Sequence, residues 1–161
     1  MAGERRYWLL KADPAVFGFA ELWAAKSRTS AWDGVRNYQA RNNLREMRAG
    51  DLAFLYHSNA DPPAIAGIVE ILREACPDPT QFDRRHEHFD PRSKREQPTW
   101  LMVDVRAVEP LPRPVALEEL RREPALAAMA VCQRASRLSV QPVLASEWGV
   151  VLALSRRKST S

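Results

Sequence analysis

The apolar positions change period along the chain, and each change marks an element. Tyr7-Trp8-Leu9-Leu10-Lys11 is a short aromatic and aliphatic run that predicts a strand, closed by Ala12-Asp13-Pro14. Phe19, Leu22 and Trp23 recur at helical spacing, so 19–25 predicts a helix. Ser27 to Asn37 reads as loop, with Asp33-Gly34 as a tight turn. From Tyr38 to Met47 the helical pattern returns, with Ala40, Leu44 and Met47 on one side, and Ala49-Gly50-Asp51 ends it.

Leu52 to His57 is a continuous apolar run of strand length. Ala64 to Arg73 is a second one, rich in Ile and Val, with Gly67 at a candidate bulge. The short loop between them predicts antiparallel neighbours. Trp100 to Val108 alternates as a half-buried strand does. Val115 to Arg122 and Leu126 to Met129 predict short helices, and Arg137 to Val143 a strand. Ser146-Glu147 can cap a last helix running to about Leu154. Cys76 to Pro98 differs from the rest. It holds Pro77, Pro79, Pro91 and Pro98 with few aliphatic residues, and reads as a long surface excursion ordered in part by Phe82 and Phe89. Loops of that length are more often functional than average. With no internal repeat and no second core, residues 1–161 read as one domain, with 156–161 as a frayed tail. The expected class is α+β: five to six mostly antiparallel strands curling into a small β-barrel, with short helices outside it.

Composition narrows the picture only a little. A chain of 161 residues that is 45% hydrophobic can bury a real core. No apolar run is long enough to span a bilayer, and no signal peptide is visible at the start, so a cytoplasmic location is expected, on the nucleoid or in a nucleus where there is one. Cys76 and Cys132 form no Cys-x-x-Cys pair and read as reduced thiols. A net charge of +4 is compatible with a polyanion partner without demanding one.

Catalytic signatures are missing. The chain holds no Gly-x-x-x-x-Gly-Lys phosphate loop, no Gly-x-Gly-x-x-Gly fingerprint and no Gly-x-Ser-x-Gly elbow. His57, His86 and His88 are the only histidines, and His86-Glu87-His88 reads as solvated loop rather than a metal site. Neither cysteine has a basic neighbour in sequence to activate it. The expectation is a protein without metal or cofactor that is not an enzyme, and a monomer.

One segment is chemically dense: Trp32-Asp33-Gly34-Val35-Arg36-Asn37-Tyr38-Gln39-Ala40-Arg41-Asn42-Asn43-Leu44-Arg45. Trp32 offers a face on which a base can stack, and Asn37 and Gln39 offer paired groups that match a base edge. Arg36, Arg41 and Arg45 can hold phosphates, as can Arg84, Arg85, Arg92 and Lys94 in the excursion. Lys11, Tyr56, Ser58, Asn59, Arg137 and Ser139 lie at strand ends that a suitable fold would bring to the same place. The competing reading makes Trp32 a core anchor and the asparagines local caps. The residues leave both open.

On these residues the chain resembles the EVE-domain family of the PUA-like superfamily. The resemblance runs through Tyr7–Lys11, Trp32–Asn42, Gly50-Asp51, Phe54–Asn59, Pro77–Phe82, Phe89-Asp90-Pro91, Trp100–Val105 and Arg137–Val143. It departs at Ala12-Asp13-Pro14, where the family has Ser-Glu-Pro, so a hydroxyl is absent at position 12. It implies a small barrel whose aromatic pocket reads a modified base in DNA or RNA, such as methylated or hydroxymethylated cytosine. Trp32 is then the cage tryptophan and Ser58-Asn59 the loop closing the pocket. Two other classes stay open: an enzyme of nucleobase or RNA modification, and a pocket for a free nucleoside or other small ligand.

Overall fold

The computed structural model describes residues 5–134 and 136–157, so most of the expected frayed tail lies outside the described residues. Six strands form one sheet: β1 (Tyr7–Ala12), β2 (Thr29–Trp32), β3 (Leu52–His57), β4 (Ala64–Pro77), β5 (Leu101–Ala116) and β6 (Val140–Val143), in the order β2-β5-β4-β3-β1-β6. Every pair is antiparallel except β1 with β3. Five short helices accompany them: α1 (Pro14–Phe17), α2 (Phe19–Ala24), α3 (Tyr38–Glu46), α4 (Leu117–Arg121) and α5 (Ala145–Ser155). The expected class, strand count and flanking helices hold. The expected barrel is not closed by hydrogen bonds: among the described residues β2 and β6 are the sheet's two edges.

Both faces of the sheet are buried, which explains why β3 reads as a continuous apolar run instead of an alternating one. Trp8, Leu10, Ala53, Leu55, Val69, Ile71, Val103 and Val105 pack on one face with Phe19 and Leu22 of α2 and Ala40 and Leu44 of α3. Leu9, Phe54, Tyr56, Ile65 and Ile68 face the other way, onto Leu120 of α4 and Trp148, Val151 and Leu154 of α5. The Phe54 and Trp148 rings stack with centroids 3.8 Å apart. Asp51 is buried beside this sheet and ties β1 to the turn after α3. It accepts from Trp8 Nε1 at 3.0 Å and from the backbone N–H groups of Arg6 and Arg48.

Five element expectations are corrected. Thr29–Trp32, read as loop, is a strand, supported by pairing with Val103–Arg106. β5 runs on to Ala116 through Pro110, Pro112 and Pro114. Its partner β2 reaches only residues 103–106, so no β2 ladder demands the N–H groups that these prolines lack. Helix α4 therefore begins at Leu117, not Val115, and the helix expected at 126–129 is instead two 3-10 turns, Pro124–Leu126 and Ala130–Cys132. The late strand starts at Val140.

The irregularity expected at Gly67 is present, as a register shift between Ile65 and Gly67, and the glycine has a packing role as well. A Cβ there would lie 2.3 Å from Cε2 of Phe19, whose buried ring is the first anchor of α2. Gly67→Ala should destabilise the fold by about 1–3 kcal/mol, the usual cost of overpacking a filled core. Urea unfolding measures this, and a midpoint equal to wild type would show that Phe19 can move aside freely.

Candidate functional site

A cavity of about 640 Å³ opens between the end of β1, helix α1, β2 and the 78–100 excursion. That volume is within the range of about 300–1,000 Å³ usual for small-ligand sites. Ala12 and Asp13 form its floor, Val16 and Phe17 one wall, and Ser30 to Asp33 another. Glu87 and His88 close it from the excursion. Helix α1 starts where it does because Asp13 caps it, accepting from Ala15 N–H at 2.9 Å, with Pro14 in the first turn. Trp32 is half-buried, packed against the core and facing the cavity, so the two readings of this residue are both partly true. Ala12 contributes only a methyl to the floor, at the position where the resemblance has a serine.

The excursion is held in place by an ion pair whose carboxylate is fully buried and whose guanidinium is half-buried. Arg36 donates to Asp78 Oδ2 at 3.0 Å, to Thr80 Oγ1 at 3.0 Å, to the carbonyl of Val35 at 2.9 Å, and twice to the carbonyl of His88. All five guanidinium N–H groups are thus used. Asp78 is fully buried and also accepts from Gly34 N–H at 2.8 Å and from the Thr80 hydroxyl and N–H. Burial alone would push this carboxyl up. The hydrogen bonds from Thr80, Gly34 and Arg36 outweigh that and hold it below its ordinary value. Gln81, also fully buried, does the same work for the far limb, bonding the carbonyls of Asp78 and Trp100, Trp100 N–H and the Ser93 hydroxyl. Gly34 has φ +79°, and a Cβ there would meet Cε1 of His88 at 2.5 Å. The imidazole therefore lies directly on the glycine, and its buried Nδ1 has no partner among the described residues.

The predicted site residues divide. Trp32 lines the cavity. Ser58 and Asn59 stand behind its floor, Ser58 N–H and Oγ bonding the Ala12 carbonyl and Asn59 Nδ2 bonding Asp13 Oδ2 at 3.3 Å. Lys11 and Tyr56 do not reach it. They are register partners whose side chains leave the opposite face of the sheet, because strand side chains alternate. Tyr56 is buried there, and Lys11 Nζ donates to the Ser136 carbonyl at 2.9 Å. Arg137 and Ser139 line no part of the cavity; Ser139 offers its carbonyl to Lys11 N–H instead. Asn37 is the N-cap of α3, accepting from Ala40 N–H at 2.9 Å. Arg36 has no N–H left for a phosphate.

Four of the predicted phosphate contacts converge elsewhere. Arg41 and Arg45, one turn apart on α3, face Arg92 and Lys94 of the excursion across a cleft of about 520 Å³ completed by Gln97, Pro98 and Thr99. Arg84 and Arg85 stand exposed on the excursion and line neither opening. Sequence reasoning missed Asp33, Glu87, His88, Val16 and Phe17 as cavity walls. Only the Asp-Gly turn beside Trp32 hinted at the first.

Two acid-sensitive groups follow from this geometry. Asp78→Ala should cost about 1–3 kcal/mol, since it leaves the N–H groups of Gly34 and Thr80 and one N–H of the half-buried Arg36 guanidinium without their acceptor. Because the Asp78 carboxyl lies lower in the folded chain than in the unfolded one, its contribution is complete above about pH 4 and lost as pH falls further. His57 titrates higher. Its Nε2 accepts from Phe19 N–H at 3.0 Å at the start of α2, and burial lowers its pKa against the opposing pull of Glu21. The stability it lends is present above its unfolded value of 6.5 and falls as pH drops below it. Unfolding free energy measured across pH should fall at both steps, and His57→Gln should remove the upper one. A wild-type profile flat below pH 6.5 would contradict the His57 assignment.

Comparison with known proteins agrees with this architecture throughout. The family model described as "EVE domain" matches residues 6–154. Thymocyte nuclear protein 1 of Danio rerio is 44% identical over 164 residues, covering 91% of this chain and 71% of that protein. A hypothetical protein from Leishmania major superposes with a TM-score of 0.89 at 44% identity, covering 96% of this chain and 97% of that one. The human THYN1 protein, solved in complex with 5-methylcytosine containing DNA, superposes with a TM-score of 0.90 at 40% identity, covering 96% and 99%. The chain belongs to the EVE-domain family.

Proposed function

We propose that this chain is a non-catalytic DNA-binding domain that reads 5-methylcytosine or a similarly modified cytosine in the cavity walled by Trp32. The observation that carries the reading is the composition of that cavity: an indole and apolar walls beside a carboxylate with no partner among the described residues. The solved complex of the human relative with 5-methylcytosine containing DNA supports it.

The chemistry of the walls selects a base edge. Asp33 makes no hydrogen bond or ion pair among the described residues, and it follows Trp32 directly. A carboxylate there accepts from the N4 amino group of cytosine and repels the O4 of thymine. Asp13 is the less free of the two, since one oxygen already accepts from Ala15 N–H and the other from Asn59 Nδ2, which leaves each only part of its acceptor capacity. Stacking on Trp32 offsets the cost of taking the base out of the duplex, a few kcal/mol. Ala12, Val16 and Phe17 give a methyl group an apolar wall. Burying one methyl is worth about 0.8 kcal/mol, so the preference over plain cytosine should be only about fourfold unless the fit is tight. The domain would act as a monomer wherever the cell keeps its DNA.

Matched duplexes carrying 5-methylcytosine, cytosine or thymine at one position test this by anisotropy titration. Wild type should rank them in that order. Trp32→Ala should weaken the methylated duplex by about 5- to 100-fold, the range of base–aromatic stacking, and Asp33→Ala should erase the margin over thymine. Equal binding by Trp32→Ala and wild type would return Trp32 to a purely structural role. Binding of free nucleoside but of no duplex would favour a small-ligand pocket, and a changed base in the recovered duplex would make the protein an enzyme.

A further inference from the structure

The cavity and the basic cleft are opposite in charge. Asp13, Asp33 and Glu87 surround the cavity, so a phosphate is repelled there. The cleft has four cationic walls and no acidic one, and none of its four cations is in an ion pair among the described residues. Arg41 is already fixed: it donates to the Thr99 carbonyl at 3.0 Å and to Asn42 Oδ1, leaving two N–H groups directed elsewhere.

A continuous line of contacts joins the two openings. The carbonyl of His88, a cavity wall, accepts from Arg36. The Arg36 guanidinium lies 5.5 Å from the ring centre of Trp100, and that ring meets Tyr38 at 5.0 Å. Arg41, a wall of the cleft, lies 5.2 Å from the ring centre of Tyr38. Trp100 is itself buried and anchored, its Nε1–H on Asp90 at 2.7 Å. Tyr38 is therefore backed by Trp100 yet 62% exposed, an aromatic ring open to solvent between the cavity and the cations.

We infer that the cleft of Arg41, Arg45, Arg92 and Lys94 holds backbone phosphates of the strand whose base enters the cavity, and that Tyr38 stacks the sugar or base of a flanking nucleotide. The choice of a nucleic-acid strand as occupant rests on the base-reading proposal. The inference goes further in making the ligand a strand of several nucleotides rather than one base. A free nucleoside fills only the acidic end, and a multiply charged small anion only the basic one.

The test compares a short duplex bearing one 5-methylcytosine with the nucleoside 5-methyl-2′-deoxycytidine, across a range of salt. Wild type should bind the duplex with strong salt dependence and the nucleoside with almost none. The exposed pair Arg45→Gln/Lys94→Gln, checked for folding by circular dichroism, should lower the slope of log affinity against log salt by about 2, at roughly 0.9 per phosphate contact. Tyr38→Ala should weaken the duplex about tenfold, within the range for loss of one stacked base. A double variant with the wild-type slope overturns the phosphate assignment, and a Tyr38→Ala that binds as wild type overturns the stacking one. Duplex binding no tighter than nucleoside binding overturns both. If these fail while Trp32→Ala still loses the methylated duplex, the base-reading proposal stands without the strand path. If the slopes change as expected while Trp32→Ala binds normally, the strand path stands and the base cavity is wrong.

Discussion

The ion pair between Arg36 and the buried Asp78 carboxylate is the constraint on which both the cavity and the cleft depend. The 78–100 excursion is rich in proline and poor in aliphatic residues, so apart from the buried Trp100 at its end neither a ladder nor apolar burial places it. A charge pair with every donor and acceptor used can, because each alternative position leaves the buried Asp78 carboxylate without its partners. Through this pair the excursion is set against the segment that follows β2. Gly34 N–H, the His88 carbonyl and the Thr80 hydroxyl all converge on it. The cavity acquires its fourth wall and the cleft its second only because the excursion is held there.

A second constraint comes from the sheet. With both faces buried, a side chain on a strand has two destinations, and sequence parity decides between them. Ala12 goes to the cavity floor and Lys11 to the other side; Leu55 and Tyr56 are separated in the same way. The functional face is the one carrying α2 and α3, while α4, α5 and the stacked Phe54 and Trp148 pack the opposite face.

This explains what could be read from the sequence and what could not. The helices at Phe19 and Tyr38 and the strand at Trp100 are legible by period, and the strands at Tyr7, Leu52 and Ala64 by short continuous apolar runs, because a sheet buried on both faces needs apolar residues at every position. β2 did not, being four residues long and fixed only by its pairing with β5. In the dense segment from Trp32, residue type offers several side chains to a ligand, and the fold takes two of them for itself. Arg36 and Asn37 carry the groups a ligand would want, and the fold itself uses them, one as a pin and one as a helix cap. Residue type shows what a side chain can bond; only the three-dimensional arrangement shows what it does bond. Asp78 and Gln81 were passed over for the converse reason: in a polar, proline-rich stretch nothing marks a carboxylate and an amide as fully buried. Arg41, Arg45, Arg92 and Lys94 were legible as separate cations, and their convergence depends on an excursion whose path no local pattern encodes.

The resulting surface separates two chemistries, a carboxylate-lined aromatic cavity and a cationic cleft, which the proposed reading gives to the base and to the phosphates of one strand. The indole N–H resonances of the chain's five tryptophans report on the first of these directly. Trp8 and Trp100 donate to Asp51 and Asp90, whereas Trp32 donates to no group among the described residues and faces the cavity. In a titration with a duplex containing 5-methylcytosine, the Trp32 indole signal should shift most. It should shift less with the unmodified duplex, and Trp148, on the opposite face, should stay in place. A Trp32 signal that does not move while the duplex binds would contradict base reading in this cavity.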